Sequence, residues 1–134
     1  MRKASIVVDK NLNAGLKANV ASIILGQLSR DVPSLYEEVV TDNSGTRHAG
    51  IAVNVVVLEG SNGQILTAID GAARADNVSC VAFTSIGQSL SNSYDEYRKK
   101  ISAIDTKDTS VVGVGLVGDD SVIKPLTKKF SLVK

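Results

Sequence analysis

Four short segments rich in apolar and β-branched residues constrain the fold of this chain more than any other feature. They are Ala4–Asp9, Ala52–Leu58, Val78–Phe83 and Ser110–Val117. Their apolar residues run consecutively instead of alternating with polar ones, which is typical of strands covered on both faces of a sheet. The sequence therefore predicts four buried strands that need other elements on either side of them.

Helical patterns lie between these strands. Asn13 is a candidate N-cap for a helix over Ala14–Leu28. Capping boxes at Ser61–Gln64 and Ser93–Glu96 predict the starts of two further helices, and Asp119 begins a short final helical turn. Alternation of strands and helices favours an α/β domain whose sheet lies between helical layers.

Turn chemistry predicts the remaining features. Asp42–Gly45 separates two extended segments and favours a hairpin. The polar segment Thr84–Asn92 is expected to be a loop. Ser131–Val133 is expected to form a short strand at the edge of the sheet.

Composition excludes several classes of protein. The 134 residues suit one domain, residues 1–134. Lys and Arg number 15 against 14 Asp and Glu, so a broad electrostatic surface for nucleic acid is not expected. The lone cysteine, Cys80, is expected to be an inert core thiol in a cytoplasmic, reducing compartment. No run approaches the roughly 20 apolar residues of a membrane helix, so no membrane partner is expected.

Two features suggest cofactor or metal chemistry, and each has a simpler explanation. Gly113–Gly118 matches Gly-x-Gly-x-x-Gly, but a dinucleotide site needs a further βαβ unit and an acidic residue about 20 positions on. Asp119 and Asp120 would also repel an anion there, so tight strand packing is favoured. His48 is the only histidine, and no metal-ligand spacing accompanies it, so an edge or loop histidine bonded to the backbone is favoured. The sequence predicts no cofactor and no metal.

Basic residues form two clusters whose role stays open at this point. Arg98–Lys100 lies late in a helix that begins with acidic residues, an arrangement that the helix dipole also favours. Lys124, Lys128, Lys129 and Lys134 form the second cluster. Each cluster is either a solvated surface or a contact for RNA.

Two loops follow the carboxyl ends of predicted central strands, where open α/β sheets bind ligands. These loops are Asp9–Ala18 and Phe83–Gln88. We expect Lys17 to neutralise an anionic ligand while neighbouring amide and hydroxyl groups orient it; the alternative is that these polar residues only form caps and turns. The candidate ligand-binding residues are Asp9, Lys10, Lys17, Asn19, His48, Thr84 and Gln88.

Four segments carry a resemblance that spans nearly the whole chain: Ile6–Asn19, His48–Ile51, Tyr94–Tyr97 and Val114–Leu132. With these segments the chain resembles the domain-of-unknown-function family numbered two thousand, which has the peptidyl-tRNA hydrolase type II fold. The resemblance implies a three-layer α/β/α sandwich with a four-stranded, mostly parallel mixed sheet. It also implies a homodimer.

The residues of a type II hydrolase site are only partly matched. Those enzymes carry a Gly-Lys-x-x-Ala-Gln-x-x-His-like pattern in the first helix, and here Gly15 matches while Leu16 replaces the lysine. The loop Phe83–Gln88 lacks the aspartate of the hydrolases, so the catalytic residues are unknown. We expect a domain that binds a small, anionic ligand or the end of an RNA such as tRNA. The alternatives are a peptidyl-tRNA or related ester hydrolase with an altered site, and a homodimeric interaction protein.

Overall fold

The computed structural model describes residues 1–90 and 92–134. The strands in these ranges are β1 Arg2–Asp9, β2 Val40–Thr41, β3 Arg47–His48, β4 Asn54–Gly60, β5 Ser79–Thr84, β6 Val111–Asp119 and β7 Ser131–Leu132. The α-helices are α1 Ala14–Asp31, α2 Asn62–Arg74, α3 Ser85–Ser89, α4 Tyr94–Ser102 and α5 Asp120–Thr127. Short 3-10 turns cover Pro33–Leu35 and Thr106–Asp108.

The main sheet has five strands in the order β5-β6-β1-β4-β7. Only β1 and β4 pair in parallel, and the β1–β6, β5–β6 and β4–β7 pairs are antiparallel. The expectation of a four-stranded, mostly parallel sheet is therefore wrong on both counts. After α4 the chain re-enters the sheet between β5 and β1, running against both, and the two-residue β7 then pairs with the outer edge of β4. The mixed α/β class is confirmed.

Helices cover both faces of this sheet. Ile6 and Val8 of β1 contribute to a buried cluster with α1, whereas Val7 between them belongs to the cluster formed with α2 and α5. This alternation within β1 places the two helical layers on opposite faces. The two layers explain why the central strands β1 and β6 are apolar on both faces.

The glycines of Gly113–Gly118 lie inside β6 and serve packing. A Cβ atom at Gly115 would lie 2.4 Å from Ile24 Cγ2 and 2.5 Å from Leu28 Cδ1, and one at Gly113 would lie 2.8 Å from Val20 and Ile24. The missing side chains allow α1 to approach the sheet closely. The preference for strand packing over a phosphate loop is confirmed.

Local predictions have mixed outcomes. Asn13 caps α1, since its Oδ1 accepts from the Leu16 N–H at 2.9 Å, and β2 and β3 form the expected hairpin. The expected loop after β5 instead contains α3, and Ser93 makes no side-chain cap for α4.

Cys80 is exposed, not a core residue. Cys80 points away from the face of β5 on which Val81 and Phe83 pack with α1, and at this edge of the sheet the second face stays exposed. Nearby atoms still desolvate the thiol enough to raise its pKa.

Across the described ranges, no helix is both long enough and apolar enough to span a membrane.

We predict that Gly115→Ala lowers the free energy of unfolding by about 1–3 kcal/mol, because the added methyl group overpacks the contact with α1. Denaturant titration would measure the change. Gly26→Ala is the matched control: Gly26 lies within α1, and a methyl group added there would have no atom within 4 Å apart from its chain neighbours and the backbone of its own helix, so alanine should stabilise the helix by about 0.5–1 kcal/mol. A Gly115→Ala protein as stable as wild type would contradict this packing.

Candidate functional site

The predicted site residues surround the edge of the sheet where β1, β4 and β5 end. These three strands run in the same direction, because β5 and β1 are both antiparallel to β6 and β4 is parallel to β1. Asp9, Gly60 and Thr84 are their last residues. The chain therefore does bring both predicted loops to one edge, but in the strand order β4 and β5 are three strand steps apart, about 14 Å.

Lys17 faces β4 and not β5. Its Nζ lies 2.8 Å from Glu59 Oε1, and the two side chains are only 13% and 17% exposed. The hydrogen bond from Lys17 holds the pKa of Glu59 below its ordinary value, although desolvation opposes it by raising the pKa. A backbone hydrogen bond from Lys134 also lowers the pKa of Glu59. Lys17 thus has a carboxylate partner within the chain and is not directed at Thr84.

Three other candidates at this edge have local or exposed positions. Asp9 Oδ1 accepts from the Asn11 N–H at 2.9 Å and shapes the turn after β1. The backbone N–H of Lys10 donates to the Gly60 carbonyl at 2.9 Å, and its side chain is exposed. Asn19 is exposed on α1.

His48 is bonded within its own hairpin. Its Nε2 lies 2.8 Å from Asp42 Oδ2, and this contact, together with hydrogen bonds from Ser44 and Thr46, lowers the pKa of Asp42 to about 2. The hydrogen bonds organise the turn between β2 and β3. The arrangement matches the simpler explanation of a hairpin histidine, although the partner is a carboxylate and not the expected backbone group.

Thr84 and Gln88 lie on the other side of the edge. Thr84 is 7% exposed, and its Oγ1 has no hydrogen-bond partner among the described residues. Directly beside it, Asn62 Nδ2 donates to the carbonyl of Val111, the residue paired with Thr84. Gln88 is half-buried in α3. This side of the edge therefore holds the second predicted loop without Lys17.

An open groove of about 500 Å³ begins at this second loop. We call it the aromatic groove. It lies between α1, β5, α3 and α4, and its lining residues are Ile23, Ile24, Gln27, Val81, Ala82, Phe83, Gly87, Leu90, Tyr94 and Tyr97.

The position of the aromatic groove follows from the packing of α1. Val20 and Ile24 press on the glycines of β6, which places Ile23 and Gln27 on the flank facing β5. Asn19 lies one helical turn before Ile23 on the same side. The groove thus joins the predicted Phe83–Gln88 segment to the middle of α1. Its α1 residues, Ile23 and Gln27, lie one and two helical turns after the predicted site residue Asn19.

The polar groups of the aromatic groove are uncharged. They are the Gln27 amide and the hydroxyl groups of Tyr94 and Tyr97, and Gln27 Nε2 already donates to Asp31 Oδ1 at 2.9 Å. Ile23 and Tyr94 are 40% and 69% exposed. Such a site can bury an apolar or planar group and bind its polar atoms by neutral hydrogen bonds.

Sequence reasoning misses most of this lining. Helical spacing predicts that Tyr94 and Tyr97 point inward as core residues of their helix, and it assigns Ile23 and Gln27 to the packed side of α1. One signal could have indicated the groove: Gln27 extends an otherwise apolar face at helical spacing, and a polar group there is unusual for a fully packed helix.

The comparisons with known proteins give a family and a similar fold. The model of DUF2000, described as a protein of unknown function, matches residues 2–134. The chain belongs to this family. No curated protein matches it.

Among solved structures, the DUF2000 chain is similar to Atu0240, a protein of unknown function from Agrobacterium tumefaciens strain C58. The TM-score is 0.85 at 16% sequence identity, over 98% of this chain and 96% of that one. At an identity this low, the structural similarity shows a shared fold and nothing about the chemistry of the site.

We predict that Glu59→Gln lowers the melting temperature at neutral pH and that the difference from wild type shrinks in acid. A carboxyl group whose pKa is lowered by folding stabilises the protein above its unfolded pKa, and this contribution is lost as the pH falls through the folded pKa. Circular dichroism melts at several pH values would measure it.

Glu96→Gln is the control for this experiment. Glu96 pairs with Lys100 at 3.7 Å, but both side chains are 57% exposed, so the effect should be small at every pH. Equal losses in the two variants would show that the Lys17–Glu59 pair is no stronger than a surface pair.

Proposed function

We propose that this DUF2000 chain is a small-ligand-binding domain and that the aromatic groove is its site. The groove of about 500 Å³ carries the proposal, because ligand sites are typically concave, mostly apolar and of about 300–1,000 Å³. A few convergent polar groups normally fix the orientation of the ligand. Gln27, Tyr94 and Tyr97 are placed to do so here.

The ligand that fits best is uncharged at the end that enters the groove. The described lining contains no Asp, Glu, Lys, Arg or His, and Lys17 is paired with Glu59. The exposed ring of Tyr94 and the half-buried ring of Tyr97 provide faces on which a planar ring can stack. A nucleobase at an RNA end and the aromatic side chain of an acylated amino acid share this chemistry.

The hydrolase alternative depends on the edge of the sheet and not on the groove. This alternative includes the proposal that the chain has a peptidyl-tRNA hydrolase type II-like fold. A mixed sheet with helices on both faces supports that proposal. A general base should have a pKa near the working pH. Glu59 has a lowered pKa, which makes its carboxylate a weak base, so we place binding ahead of hydrolysis.

A homodimer is a second proposal, and the free edge of β5 favours it. Among the residues that the structure describes, this strand pairs with β6 on one side only, and its sequence, Ser79–Thr84, contains no charged residue or proline. The exposed side chains of Ile23 and Tyr94 border the same region. Light scattering over a range of concentrations separates a monomer from a dimer.

We predict that a neutral planar compound binds in the aromatic groove and that Ile23→Trp weakens this binding about tenfold or more, which corresponds to about 1.4 kcal/mol. Adenosine, indole and N-acetylphenylalaninamide are suitable probes. Ile23 is partly exposed, so the larger ring can enter the groove without disturbing the core. Amide chemical shifts of Gly87 and Tyr97 would report binding. At a probe concentration of 100 times the Kd, binding would raise the free energy of unfolding by about 2.7 kcal/mol.

Ala18→Trp is the matched control, since Ala18 is an exposed residue of α1 outside the groove lining. It should bind the probes as wild type does. An absence of shifts at Gly87 and Tyr97 with all three probes would contradict the proposal, and so would unchanged binding by Ile23→Trp.

A further inference from the structure

A second open groove, of about 550 Å³, lies on the opposite face of the protein between α2 and α5. We call it the cationic groove. One wall is formed by Gly63, Thr67 and Gly71 of α2, and the other by Leu126 and Phe130 at and after the end of α5. It shares no lining residue with the aromatic groove.

Small residues at four-residue spacing keep the cationic groove open. Apart from its chain neighbours and the backbone of α2, a Cβ atom at Gly63 would have no atom within 4 Å, whereas one at Gly71 would lie 2.6 Å from Leu126 Cδ2. The helices therefore touch at Gly71 and separate towards Gly63. These two glycines are eight residues apart, so the wall between them is about 12 Å long at 1.5 Å per residue.

The rim of this groove is positively charged. Arg74, Lys128 and Lys129 line it together with the apolar side chains of Leu126 and Phe130. None of the described lining residues is acidic, and no salt bridge in the described part of the chain involves these three cations. Part of the second basic cluster of the sequence is thereby brought together with an arginine from α2.

We propose that the cationic groove binds a small organic anion with an apolar body, an alkyl or aryl carboxylate or phosphate. The apolar walls would bury the body of the ligand, and the rim cations would bind its head group. The volume of about 550 Å³ lies within the range of about 300–1,000 Å³ that is typical of small-molecule sites. This site is separate from the proposed function, so either can fail without the other.

The test titrates the full chain with octyl phosphate and with octanoate, followed by amide chemical shifts. We expect shifts at Gly63, Thr67 and Gly71, and an affinity that falls as salt is added. The double variant Lys128→Gln/Lys129→Gln should bind about tenfold more weakly or worse. The relative affinities of the two probes distinguish a phosphate from a carboxylate head group.

The matched control is Lys99→Gln/Lys100→Gln, which removes two adjacent lysines of α4 outside the groove. It should bind as wild type does. Thr67→Trp, at an exposed position of α2, should block the groove without altering its charge.

Three results would overturn the proposal. If octan-1-ol bound as tightly as the two anions, the groove would select for the alkyl chain and not for an anionic head group. Unchanged binding by Lys128→Gln/Lys129→Gln would remove the role of the cations. Shifts along α2 with a short single-stranded RNA, but with neither octyl anion, would make the surface a nucleic-acid contact.

Discussion

The close contact between α1 and the glycines of β6 determines the arrangement of the rest of the molecule. Gly113 and Gly115 present no side chains to the helix, and Val20, Ile24 and Leu28 of α1 fill the space above them. Packing at this density leaves little freedom in where the helix lies. The central strands β6 and β1 are therefore covered directly by α1. The outer strands β5 and β4 lie beside the helix, and the side chains on its two flanks determine what forms there.

Two such features flank α1. Towards β5, the helix presents Ile23 and Gln27, and the space between them and α4 forms the aromatic groove. Towards β4, Lys17 reaches Glu59 and forms a poorly exposed ion pair. One packing contact thus separates the two halves of the predicted site, with the ammonium group on one flank of the helix and the Phe83–Gln88 segment on the other.

The sequence was sufficient for most local structure and insufficient for the sheet order. Apolar runs identified β1, β4, β5 and β6, and the Asn13 cap and the hairpin were also predicted, because these depend on neighbouring residues. The direction of β6 depends on where the chain re-enters the sheet, a non-local property that strand composition does not record. The same limit affected the candidate site: the strand ends predicted that both loops reach one edge of the sheet, but spacing along the chain could not show that Lys17 faces β4.

The unpaired edge of β5 also matters for how the protein behaves while it folds. Along this edge, Ser79–Thr84 presents backbone donors and acceptors without the charged residues or prolines that usually prevent strands of different molecules from joining. Chains that have formed the sheet but not yet packed α3 and α4 beside it would offer this strand as a template for aggregation. Slow dilution from denaturant at low protein concentration would then give a better yield of soluble protein than rapid refolding at high concentration.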